Sequence, residues 1–146
     1  MTASFILLGA GFSRAISPRM PLLPDLAQQV LEALDEPPAV LTSFDNNLEQ
    51  WLSYLSVNQP WLSEAANLRN RAIFLEASRA VQQCIDRAEA RVTYPEAWLE
   101  RLVLDWCATQ STVATFNYDL LVERTTATLG RVSAWRDLYG AALDER

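Results

Sequence analysis

The stretch Phe5-Ile6-Leu7-Leu8-Gly9-Ala10-Gly11-Phe12-Ser13 constrains the fold of this chain more than any other. A four-residue apolar run closed by glycine predicts a strand buried on both faces, as in a parallel sheet. Gly9 and Gly11 let the backbone turn sharply and approach a ligand with no Cβ in the way. A helical turn opening near Ser13 would point free N–H groups back at the loop, which suits a pyrophosphate. A tight strand-to-helix turn that holds no ligand explains the same residues equally well, because a short Gly-x-Gly is not diagnostic.

Beyond the loop, Arg14 to Pro24 carries three prolines, at 18, 21 and 24. They exclude regular helix and predict an extended segment lying over the loop, as a ligand cover or a plain connector. Helical spacing then runs from Pro24 to about Leu34 on Leu26, Val30, Leu31 and Leu34, and from Asp45 to Val57 on Leu48, Trp51, Leu52 and Leu55. It continues from about Pro60 to Arg91 on Leu68, Ile73, Val81, Cys84, Ile85 and Ala88, and from Ala97 to Thr109 on Trp98, Leu102, Val103 and Trp106. The tryptophans are expected in the core. Ser111 to Phe116 is a second strand, Asn117-Tyr118-Asp119 a turn, Leu120 to Leu129 a helix, and Arg131 to Trp135 a weak third strand. Strands flanking helices predict an α/β fold with parallel pairing. Ligands of such sheets lie beyond the carboxyl ends of the strands, where both polar turns fall.

Composition narrows the chemistry. The chain has 146 residues, 50% hydrophobic and 21% charged, about one domain in length. A net charge of −6 argues against nucleic acid or an anionic membrane as a partner. There is no histidine, so the commonest general base and neutral metal ligand are missing. All twelve basic residues are arginine, and a lysine-free chain has no P-loop. Cys84 and Cys107 form no zinc motif or disulfide framework and read as buried thiols in a reducing cytosol. The apolar run at the N-terminus is too short for a secretion signal or a membrane span, which points to the cytoplasm. A dinucleotide dehydrogenase is also excluded, since Arg14 stands where its third glycine belongs.

In the crevice between the two turns, Gly9, Ala10, Gly11 and Ser13 would offer N–H groups and a hydroxyl to phosphates. The Asn117 amide suits a ribose hydroxyl or a water held against a sugar carbon. Asp119 could accept from ribose hydroxyls or stabilise an oxocarbenium-like sugar. Helix capping accounts for Asn117 and Asp119 as well. Glu123 is open to a salt bridge with Arg124 or Arg14, or to solvation.

Gly9-Ala10-Gly11-Phe12-Ser13, then Met20-Pro21, then Thr115-Phe116-Asn117-Tyr118-Asp119-Leu120-Leu121-Val122-Glu123 together resemble the sirtuin-like domains of bacterial NAD-consuming effectors. The segment from Leu48 to Leu55 resembles the helical insert of that subgroup. The resemblance spans nearly all of residues 1–146. It implies a Rossmann-like parallel sheet with a large helical insert, about 24–110, between the first two strands. It also implies NAD as substrate, no metal, and hydrolysis of the nicotinamide–ribose bond in prokaryotic anti-phage defence. On that basis Gly9, Ala10, Gly11, Phe12, Ser13 and Pro21 bind the cofactor. Thr115, Asn117 and Asp119 surround the nicotinamide ribose, with Asn117 and Asp119 catalytic. The zinc-binding cysteines of the deacetylase branch are absent, which sets that branch aside. Both branches use a histidine after the Asn-Tyr-Asp motif, so the sheet is expected to be incomplete at the C-terminus and the domain truncated before that residue. The alternative is a non-catalytic sensor or scaffold that binds NAD or ADP-ribose. A homo-oligomer or a fused sensor domain is compatible with either.

Overall fold

The computed structural model describes residues 4–93 and 96–131. In chain order it contains strand β1 (Phe5–Leu8), helices α1 (Ala10–Ile16) and α2 (Leu23–Ala33), and a 3-10 helix (Pro38–Phe44). Helices α3 (Leu48–Ser56), α4 (Glu64–Glu89) and α5 (Ala97–Thr109), strand β2 (Thr112–Thr115) and helix α6 (Leu121–Thr128) follow. The chain forms two compact units, Met1–Ser17 with Val92–Arg146, and Pro18–Arg91.

The first unit holds both strands. β1 and β2 pair in parallel, from Phe5 opposite Thr112 to Leu8 opposite Thr115. Thr112 N–H donates to Ser4 C=O at 2.9 Å and Phe116 N–H to Leu8 C=O at 3.2 Å. The two carboxyl ends therefore abut, and the mixed α/β class with parallel pairing holds. A Rossmann-like sheet needs more strands than the two described here. Of the expected third strand, Arg131 lies in neither helix nor strand and the rest falls outside the described residues.

Burial of β1 on both faces does not occur. Leu8 is buried while Phe5 and Leu7 are 71% and 59% exposed, because among the described residues the face of the pair that carries Phe5 and Leu7 is left uncovered. α1 opens directly after Gly9 rather than near Ser13, and continues through Arg14-Ala15-Ile16. The helix-breaking effect of the prolines starts only at Pro18, whose predecessor Ser17 is extended (φ −145°, ψ 125°). Gly9 itself has φ −131° and ψ 177°, a conformation open to any residue, so the turn does not require glycine. Ile16, Leu99, Val103, Trp106 and Leu121 are buried in this unit. Phe12 sets its ring edge-on to Trp98, with centroids 6.0 Å apart, and tilted to Trp106 at 6.1 Å, which fastens α1 to α5.

The second unit is helical. α4 packs on α2 and α3 around Leu26, Val30, Leu31, Leu48, Trp51, Leu55, Ala77, Cys84 and Ile85. α3 begins at Leu48 rather than Asp45, because the Asn47 side chain accepts from Glu49 N–H at 2.9 Å and Gln50 N–H at 3.2 Å. Asp45 and Asn46 stay outside it in the left-handed region. α4 begins at Glu64 rather than Pro60, capped by the Ser63 hydroxyl on Ala66 N–H. The 3-10 helix over Pro38–Phe44 has no periodicity that sequence reading could use.

Three expectations about burial fail on geometry. Trp51 and Trp106 are core residues, but Trp61 and Trp98 are 70% and 41% exposed, and Trp135 lies outside the described residues. Trp61 precedes α4 and joins no helical face. Leu68 is 65% exposed because five residues of helix rotate it to the side opposite Ile73. Cys107 is exposed whereas Cys84 is buried; Cys107 sits past the edge of the Leu99, Val103, Trp106 stripe.

Candidate functional site

Helix α1 and the loop after β2 meet at one serine of the first unit. The Ser13 hydroxyl donates to Asp119 Oδ2 at 2.6 Å, and Asn117 Nδ2 donates to Ser13 Oγ at 2.6 Å. These bonds close sequence separations of 106 and 104 residues. Ser13 is 2% and Asp119 8% exposed, so the cluster is shielded from water. Proton counting fixes its polarity. Ser13 has a single hydroxyl proton and the carboxylate takes it, so the amide must turn its NH₂ to the serine.

Each member is also held by its own segment. Asp119 Oδ1 accepts from Leu121 N–H at 3.2 Å at the start of α6, so the capping role is realised alongside the tertiary bond. Thr115 Oγ1 accepts from Asn117 N–H at 3.0 Å, a local turn that sets the asparagine just past β2. On α6, Glu123 is buried rather than solvated, and Thr125 and Thr126 return their hydroxyls to Leu121 and Val122 C=O at 2.8 Å each.

One atom is left over. Asn117 Oδ1 is removed from solvent and has no hydrogen-bond partner. A buried amide oxygen without a donor costs about 1–3 kcal/mol. At the start of α1, Gly9 (its N-cap) and Gly11 are exposed, and a Cβ on either would meet nothing within 4 Å. Their Cα faces are open to close approach.

The expected site residues thus separate into groups. Gly9, Ala10, Gly11, Phe12, Ser13, Thr115, Asn117 and Asp119 all belong to the first unit, at or just past the ends of β1 and β2. Pro21 belongs to the other unit and is buried there. Ser13 donates its proton to Asp119, and Phe12 packs its ring against α5. Asp119 gives one oxygen to each of two donors and positions the serine. Sequence reading missed the hub role of Ser13, because nothing local marks a contact made across a hundred residues. It also gave no role to Phe116 and Tyr118, which flank Asn117 and are 78% and 55% exposed.

Among the described residues no group of three or more acidic, cysteine or histidine side chains could hold a metal ion. No described helix is long and apolar enough to cross a membrane. No protein family, curated protein or solved structure matches the chain.

Proposed function

We propose that the first unit binds NAD beyond the carboxyl ends of β1 and β2, as the nucleotide-holding part of a sirtuin-like NAD glycohydrolase used in anti-phage defence. The observation that carries this reading is the orphaned, buried Asn117 Oδ1, presented by an amide whose NH₂ is locked on Ser13. An acceptor fixed in direction and lacking a donor suits a ribose hydroxyl or a water delivered to the sugar carbon. The open Cα faces of Gly9 and Gly11 fit a pyrophosphate approaching the backbone. Asp119 and Ser13 act through Asn117 as positioning residues. The 146 residues contain no histidine, so the chain as it stands has no imidazole to activate the nucleophile. That observation also favours the second reading, a module that binds NAD or ADP-ribose without turnover.

Calorimetric titration with NAD, together with measurement of free nicotinamide, tests both readings. Binding with no nicotinamide release is expected from these 146 residues. Asn117→Ala should weaken NAD affinity about tenfold, the equivalent of one hydrogen bond near 1.4 kcal/mol. Gly11→Ala should weaken it as well, by obstructing the approach, without lowering the melting temperature. Absence of NAD binding, or full affinity in Gly11→Ala, would sink the proposal.

A further inference from the structure

We propose that Trp98 is the stacking platform for the adenine ring of the dinucleotide, an inference that rests on the NAD reading of the first unit. Spacing along α5 predicts Trp98 in the core, yet it is 41% exposed while Leu99, Val103 and Trp106 of the same helix are buried. Phe12 meets it edge-on, at an interplanar angle of 79° and 6.0 Å between centroids, and so steadies the indole without stacking on it. An indole fixed by one neighbouring ring and left partly open presents flat apolar surface to water. The face of a heterocycle covers such a surface well.

Topology sets Trp98 at the ligand end of the sheet. Only Gln110 and Ser111 separate α5 from β2, so the last turn of α5 lies at the start of that strand. Phe12, in the first turn of α1 just past the end of β1, touches both Trp98 and Trp106. Trp106 is the nearer of the two to the joint with β2. Trp98 is therefore the outer one, toward the carboxyl ends of the strands, where ligands of parallel sheets lie. Phe12 and Ser13 are consecutive on α1 and point about 100° apart. Phe12 looks to α5, and Ser13 to Asn117 and Asp119. A dinucleotide whose phosphates lie over the open Cα faces of Gly9 and Gly11 thus has Asn117 on one side of α1 and Trp98 on another. The ribose beside Asn117 carries the nicotinamide, so the ring left for Trp98 is adenine. Phe116 and Tyr118 are also exposed, but they flank Asn117 and belong to its side.

Titration of the full chain with ADP-ribose and with NAD tests it, since ADP-ribose carries adenine but no nicotinamide. Trp98→Leu, which keeps an apolar side chain against Phe12, should weaken both ligands about tenfold, in the range of a base stacked on an aromatic side chain. Trp98→Phe should retain most of the affinity, because a flat ring remains. Indole emission should fall when the wild type binds ADP-ribose, and that fall should shrink in Trp98→Phe while binding persists. Full ADP-ribose affinity in Trp98→Leu, or a loss confined to NAD, would overturn the inference and leave the NAD reading standing. A wild type that binds neither ligand overturns both. Where Trp98→Leu lowers the melting temperature, the emission of Trp98→Phe decides, and a fall as large as that of the wild type counts against stacking.

Discussion

Ser13 is the residue on which the first unit turns, because its one hydroxyl satisfies two partners brought from the far end of the chain. Removing it leaves a carboxylate oxygen and an amide NH₂ unpaired in a water-poor cluster. Ser13→Ala should therefore destabilise the protein by about 2–4 kcal/mol, measured by urea unfolding. Asn117→Ala should cost less, about 1 kcal/mol, since Ser13 keeps Asp119 and the orphaned Oδ1 leaves with the side chain. Equal losses for the two variants would show that Ser13 is no hub. Gly11→Ala carries the opposite sign. It removes a flexible residue from a helix where the new methyl meets nothing, and should raise stability by up to ~0.5–1 kcal/mol. Stability gained there with affinity lost marks a glycine kept for the ligand rather than for the fold.

Among the elements, the ends of the helices decide where the chain goes next. α5 closes with Gln110 in the left-handed region at φ 51°. Gln110 N–H donates to Cys107 C=O at 3.3 Å and Ser111 N–H to Trp106 C=O at 2.9 Å, and the chain then enters β2. α6 ends the same way with Gly130 at φ 64°, where glycine suffers no Cβ clash. Gln110→Gly should accordingly stabilise the protein by ~1 kcal/mol in thermal or urea unfolding, while Gly130→Ala should cost a similar amount. At the other kind of terminus, Asn47→Ala removes the acceptor of two N–H groups at the head of α3 and should cost about 1 kcal/mol. An unchanged midpoint in that variant would mean water caps the helix equally well. These terminal residues explain why helix cores were legible in the sequence and their ends were not. Periodicity locates Trp51 and Leu55, but the start of α3 depends on which of Asp45, Asn46 and Asn47 turns its side chain to the backbone.

For the whole molecule, the chain divides into two compact units, and the nucleotide proposal concerns one of them. Hydrogen exchange followed with and without NAD should show slowing at residues 9–16 and 115–121, with the core of α2, α3 and α4 unchanged. Slowing confined to the helical unit would count against the site. The sequence by itself determined most of the helices, both described strands and the polar turn after β2, because period, proline, glycine and β-branched residues act over a few positions. Only the tertiary structure decided that one strand face is open, that Trp61, Trp98, Leu68 and Cys107 lie outside the core, and that Ser13 joins Asn117 to Asp119. Those outcomes depend on which surfaces meet after the chain has closed loops of a hundred residues, and local spacing carries no record of such meetings.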